Sequence, residues 1–150
     1  MSYSRLLFHI VFRPKYSERV LTPEHSGKLY AYMRGYIQNR GCMVYAIGGM
    51  ADHIHLLVQL PTTLAIADFV RDLKTTTHKF INDNSNLFPY FHAWTRSYCA
   101  ISVSASRIPA VTHYIENQAE HHKKFSFYDE LLAICREYNI DVNPQYFLKD

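Results

Sequence analysis

The chain is poor in cysteine and has no paired spacing of it. Cys42, Cys99 and Cys135 are the only three in 150 residues, and no CxxC occurs. This argues against a cysteine-built zinc site and fits a reducing compartment. No apolar run is long enough to cross a bilayer, and the opening Met-Ser-Tyr-Ser-Arg carries no signal-peptide core. A soluble, cytoplasmic protein with no membrane partner is expected. Repeats, low-complexity tracts and linkers are also missing, so residues 1–150 read as one domain. With no glycine-rich phosphate loop, nothing points to a nucleotide cofactor.

What is present is a chain 48% apolar and 15% aromatic, with twelve tyrosines. Its net charge of +3 and pI near 8.7 permit a nucleic-acid partner without requiring one. Leu6 to Phe12 reads as a strand stopped by Arg13-Pro14. Thr22 reads as an N-cap with Pro23 at the first helical position, and the stripe Leu29, Met33, Tyr36, Ile37 marks a helix ended by Gly41. Met43–Ile47 and His53–Leu60 read as two further strands, the first broken by Gly48-Gly49. A long amphipathic helix spans about Leu64 to Asn82, and Tyr98–Ser104 is a fourth strand. Ser106 is placed to cap a helix running to about His122, and Ser126-Phe-Tyr-Asp resembles a capping box for a last helix. The order β-α-β-β-α-β, then two helices, predicts an α+β, ferredoxin-like (split β-α-β) antiparallel sheet. Its helices cover one face, two extra C-terminal helices follow, and the other face is left open.

Two short motifs carry the chemistry. Side chains alternate along a strand, so Ile54, Leu56, Val58 and Leu60 face the helices while His53, His55, Leu57 and Gln59 face away. Imidazoles two positions apart lie roughly 7 Å from each other and can converge on one cation. In the third long helix, Ile108, Val111, Ile115 and Ala119 form the buried stripe. Gln118 lies nearly on that line, and Tyr114, one turn earlier, is at its edge. An inward-facing amide needs a partner, which a metal or a hydrogen bond supplies equally well. Neither motif carries a function alone: ordinary strand histidines and a core-edge tyrosine look the same in sequence. An open sheet would also suit a non-catalytic nucleic-acid-binding domain, although such modules stack bases on aromatics rather than histidines.

Taken together, the motifs resemble the single-tyrosine HUH transposases of the smallest bacterial insertion sequences. The similarity begins at Leu7-Phe8-His9-Ile10-Val11-Phe12 and Lys15 and continues through Asp52-His53-Ile54-His55-Leu56-Leu57-Val58 and Phe69–Lys74. It is most specific in Trp94–Ser106 and in Tyr114-Ile-Glu-Asn-Gln-Ala-Glu-His-His122, with Phe127 and Glu130 beyond. Cys99 stands where the family leads one to expect a small residue.

The resemblance implies a DNA transposase, an HUH single-strand endonuclease and strand transferase. His53, His55 and Gln118 would bind a divalent metal, Mg²⁺ or Mn²⁺. Tyr114 would attack a phosphodiester beside a hairpin and keep the 5′ end as a phosphotyrosine. It also implies a homodimer with composite active sites, the tyrosine helix of one protomer docking on its partner's histidine strand. A domesticated HUH endonuclease would share the same residues. Arg13, Lys15, Arg71, Lys74 and Lys79 are candidate contacts to single-stranded DNA. His121, His122, Lys123 and Lys124 read as a positive cluster at a helix C-terminus. No proton acceptor for Tyr114 is evident from sequence.

Overall fold

Period-two alternation divides the third strand into two faces, and the remaining elements are arranged on them. In the computed structural model, which describes residues 2–150, four strands form one sheet. These are β1 (Leu6–Phe12), β2 (Met43–Met50), β3 (His53–Leu60) and β4 (Cys99–Ser102), in the spatial order β2-β3-β1-β4. Every neighbouring pair is antiparallel. Helix α1 (Ser26–Asn39) follows β1, and α2 (Ile66–Asp83) joins β3 to β4. The ferredoxin-like arrangement expected from the element order is the one observed.

One face carries the main core. Ile10 and Phe12 of β1 and Ile54, Leu56, Val58 and Leu60 of β3 pack on Leu29, Met33 and Ile37 of α1 and on Phe69, Val70, Leu73 and Ile81 of α2. Each such fully buried side chain contributes roughly 1.5–3 kcal/mol relative to exposure. Trp94 closes one end, its indole N–H donating to Thr77 Oγ1 at 3.0 Å.

The other face is not open. The C-terminal helices α3 (Ile108–Glu116), α4 (Gln118–His121) and α5 (Phe127–Glu137) cover it. Ala46, Leu57 and Ile115 form a buried cluster there, edged by Val103, Ile108, Val111 and Tyr114. Val11, Phe127, Leu131 and Cys135 form another. An apolar stripe on α3 and α5 has to be buried somewhere, and the short connection from β4 returns the chain onto this face. The open-sheet expectation therefore fails, and with it a base-stacking surface on exposed strands.

Several boundaries also differ from the sequence expectations. Thr22 makes no side-chain cap; a 3₁₀ turn, Pro23–His25, precedes α1. Ser106 lies inside another 3₁₀ turn, Ala105–Arg107, and the long helix breaks at Asn117 (φ −106°, ψ 28°). Ser126 does cap α5, accepting the Asp129 backbone N–H at 3.1 Å. Strand β2 continues through Gly48-Gly49 rather than ending before them.

Packing explains that last difference. A Cβ on Gly48 would lie 2.3 Å from the backbone oxygen of Ile115, so the glycine admits α3 against the sheet. Gly48→Ala should push α3 outward, lower stability by about 1–3 kcal/mol, and disturb Tyr114 one residue away. Urea midpoints of the two proteins check this; an unchanged midpoint would show that α3 is not held at this point.

Candidate active site

Three C-terminal elements bring polar groups onto the histidine face of β3. His53 and His55 are completely buried, and Gln118 and Glu130 are 2% and 4% exposed. Tyr114 sits on α3 and Gln118 opens α4, so the turn at Asn117 sets the angle between them. Glu130 lies on α5 between Phe127 and Ile134, on that helix's buried face. A fully desolvated carboxylate must be compensated by charge and hydrogen bonds, and here it is the junction of the site.

Glu130 Oε1 lies 3.0 Å from His55 Nε2 and 3.3 Å from His53 Nε2. Its Oε2 accepts the Tyr114 hydroxyl and, at 3.1 Å, the Gln118 amide N–H. The latter bond fixes the orientation of the amide. Gln118 Oε1 therefore points back to His53 Nε2, 2.9 Å away. Behind the ligands stand two supporting groups. Asp52 Oδ1 is 2.7 Å from His53 Nδ1, and His9 Nε2 is 2.8 Å from His55 Nδ1.

These contacts set the electrostatics. Burial raises the Glu130 carboxyl, but hydrogen bonds from His53 and His55 outweigh it and hold the group well below the usual carboxylate range. Burial disfavours charge on His53, yet Asp52, Glu130 and Gln118 together raise its pKa to about 9. His9 is lowered to about 3 by burial and by the neighbouring His55. Tyr114 is pushed upward by burial first and then by its bond to Glu130. Glu130 is thus held ionised among the histidines.

The donor set fits a divalent cation. Asp52 Oδ1 accepts the Nδ1–H of His53, and His53 Nε2 is directed at two oxygens, Gln118 Oε1 and Glu130 Oε1, between which a proton or a divalent cation would supply the positive charge. A nitrogen lone pair facing acceptor oxygens is repulsive unless a positive charge lies between them. Carboxylate-backed imidazoles are also the usual support of a metal ligand. His53, His55 and Glu130 offer ligand atoms all within 4.8 Å of one another.

All four central residues expected from sequence meet in one place. Glu130 joins them as a residue that spacing alone did not single out. Its signal was legible: an acid on the Phe127, Leu131, Ile134, Cys135 stripe of an amphipathic helix. His122, four residues beyond Gln118, also reaches the pocket, its Nε2 lying 2.9 Å from Gln118 Oε1. Within the single chain described, Tyr114 of α3 lies beside the histidines of its own β3 and bonds to its own Glu130.

The candidate DNA contacts scatter. Arg13 is buried and paired with Asp150 at 2.6 Å. Lys74 donates to the Thr95 and Ser97 carbonyls at 2.8 and 2.9 Å. Arg71 is exposed beside Asp68 and Asp72, and Lys79 beside Asp83. Lys15 is exposed, its ammonium 5.3 Å from the Tyr16 ring centre. Arg71, Lys74 and Lys79 all belong to α2, across the sheet from the histidine pocket.

The profile of the family described as "Transposase IS200 like" matches residues 2–118. The chain belongs to the IS200-like transposase family. It is 29% identical over 123 residues to the ISDra2 transposase TnpA of Deinococcus radiodurans, covering 76% of this chain and 84% of that protein. The transposase for insertion element IS200 of Salmonella typhimurium is 25% identical over 120 residues, covering 77% of this chain and 78% of the relative. Among solved structures, a transposase-like protein of D. radiodurans superimposes with a TM-score of 0.61 at 29% identity, over 78% of this chain and 93% of that one. A REP-associated tyrosine transposase bound to a REP hairpin shares the fold, with a TM-score of 0.59 at 12% identity over 81% and 72% of the two chains. This IS200-like protein is therefore an enzyme of the transposase class. Its family and its His-His-Glu cluster both fit a divalent metal. Among the described residues, no helix is long and apolar enough to cross a membrane.

Lys74 gives this transposase a testable pH signature. Burial lowers its pKa from 10.5 to about 8. The folded chain then releases a proton that the unfolded chain keeps up to its ordinary pKa. Stability contributed by this group should rise as pH increases from about 8 to about 10.5. Lys74→Met should flatten the stability curve across that window in urea titrations, whereas parallel curves would show an unperturbed lysine.

Proposed function

We propose that this chain cleaves and rejoins single-stranded DNA beside a hairpin, using Tyr114 as nucleophile. The observation that carries the reading is the double attachment of Glu130: one oxygen holds His53 and His55, and the other accepts the Tyr114 hydroxyl. Nucleophile and cation pocket are thereby held at one carboxylate. His53, His55, Gln118 and Glu130 would hold Mg²⁺ or Mn²⁺. When bound, the cation supplies positive charge that polarises the scissile phosphate and eases departure of the 3′ oxygen.

The chain's own groups do the remaining work. Glu130 Oε2 accepts the Tyr114 hydroxyl and so orients it, and the phenolic proton passes to the departing 3′ oxygen as Tyr114 attacks phosphorus. Attack forms the tyrosyl O–P bond and breaks the bond to the 3′ oxygen, leaving a 5′-phosphotyrosine and a free 3′-hydroxyl. Rejoining is the reverse attack by another 3′-hydroxyl, so no external energy source is needed. Glu130 also changes the charge balance expected from neutral ligands alone, cancelling one unit of the cation's charge.

Single-stranded DNA with a hairpin is the partner this reading requires, in keeping with the hairpin held by the REP-associated relative. Lys15, Arg71 and Lys79 are the exposed phosphate contacts. The acid pairs of Arg71 and Lys79 are surface pairs, worth about 0–1 kcal/mol, and can exchange for phosphate. A homodimer belongs to the same proposal. Strands β2 and β4 are the sheet edges, and an unpaired edge invites pairing, with each protomer keeping its own site.

Purified protein with Mn²⁺ should nick a hairpin-bearing oligonucleotide from the element's ends and leave a covalent adduct on a denaturing gel. EDTA should abolish both, and Tyr114→Phe should remove the adduct while retaining hairpin binding. An adduct that survives Tyr114→Phe would move the chemistry to another of the twelve tyrosines.

A further inference from the structure

A tight turn and a distant carboxylate meet at the end of β1. Arg13 is only 4% exposed, and its guanidinium is directed at one anion. Its Nη2 donates to Asp150 Oδ1 at 2.6 Å. Its Nη1 donates to the Asp150 backbone oxygen and to Ser17 Oγ, both at 2.9 Å. The Tyr16 backbone N–H donates to the same Asp150 backbone oxygen at 2.8 Å. Two acceptor oxygens thus sit in a guanidinium fork completed by a backbone amide. That donor set suits a carboxylate and a phosphate alike.

The turn that supplies the donors is strained. Tyr16 and Ser17 take φ values of 61° and 54°, in the left-handed region, and neither is glycine. Such strain persists where the surroundings enforce it, and it gathers at ligand clamps. The present occupant is held lightly. Among the described residues, every hydrogen bond from residues 141–150 to the rest of the chain is made by Asp150. Val142, Phe147 and Leu148 only fringe the cluster of Val11, Phe127, Leu131 and Cys135. A cavity of about 1080 Å³ opens between this segment and the surfaces of β4 and α5. The Asp150 side chain is itself 47% exposed. A buried cation with a built fork of donors is therefore closed by a weakly anchored segment.

We infer that Arg13, Ser17 and the Tyr16 N–H form a phosphate site that Asp150 occupies in the free chain, and that a backbone phosphate of single-stranded DNA displaces it. The inference rests on single-stranded DNA being the partner, as proposed above. A phosphodiester carries one negative charge on two free oxygens, so it can replace both acceptors of Asp150 without leaving the Arg13 charge unpaired. Asp150 is then an internal competitor for the DNA backbone. Its displacement adds a phosphate contact to those of the exposed cations. It also frees residues 141–150 from the cavity, one wall of which is Phe127, the ring stacked on His53 at 4.3 Å.

Pyrophosphate and a hairpin-bearing single-stranded oligonucleotide, each titrated into the full chain, test this. In ¹H–¹⁵N spectra of the wild type, both should shift the Tyr16 amide and move the amides of residues 141–150 toward their positions in Asp150→Asn. By fluorescence anisotropy, Asp150→Asn should bind the oligonucleotide about threefold more tightly, the effect of removing one partly exposed ion pair. Arg13→Gln should bind it more weakly, with a salt slope smaller by about 0.7, the loss of one single-strand phosphate contact. A purely structural clasp gives another result: Asp150→Asn would be less stable, with affinity and salt slope unchanged, and the site would be overturned. A Tyr16 amide unmoved by either probe would overturn it as well. A Tyr16 amide that moves with pyrophosphate, in a chain that binds no oligonucleotide, would uphold the phosphate chemistry and overturn DNA as its source, and with it the function proposed above. The wild-type titration decides the matter even where Arg13→Gln fails to fold.

Discussion

One buried carboxylate holds this active-site arrangement together. Glu130 is almost entirely removed from water, and such a charge persists only where the surroundings supply compensating donors or cations. Here the surroundings are histidines from a strand and from a helix end, an amide and a phenol. Each contributes a contact that the carboxylate requires, and each is thereby fixed in position. Remove the carboxylate, and α5 loses its polar reason to lie on the sheet while Tyr114 loses its acceptor.

The same constraint links fold to chemistry. The ferredoxin-like half puts its hydrophobic core on one side of the sheet and presents the histidines on the other. Helices α3 to α5 then roof that side, with Gly48 allowing close approach of the Ile115 backbone. Roofing removes the cluster from water and lowers the local dielectric, so the fixed charges within it act strongly on one another. The basic residues of α2 lie across the sheet from the histidine cluster.

Much of this was legible in the chain. Alternation along His53–Leu60 assigned each side chain to its face, and the observed core contains Ile54, Leu56, Val58 and Leu60 on one side. The Tyr114 and Gln118 spacing put both on the inner side of the last helices. Glu130 was harder to single out, since an acid near a helix start is ordinarily a macrodipole partner. Only its place on an apolar stripe distinguishes it. The His121-His122 pair has the composition of a helix C-terminal cluster, and its inward turn depends on the break at Asn117. The burial of Arg13, a candidate DNA contact in the sequence, was not legible, because its partner, Asp150, is 137 positions away and no local pattern reveals it. The continuation of β2 through two glycines likewise depends on a distant helix.

The central claim is that one chain supplies a complete site. Mixing decides it most directly. His55→Ala protein and Tyr114→Phe protein are combined under conditions that exchange subunits, and cleavage of a hairpin oligonucleotide is measured. With metal ligands and nucleophile working within the same chain, every site in the mixture carries a lesion and no cleavage returns. Recovery of cleavage well above either variant alone would mean that the tyrosine helix serves a partner's histidines, and would contradict the account.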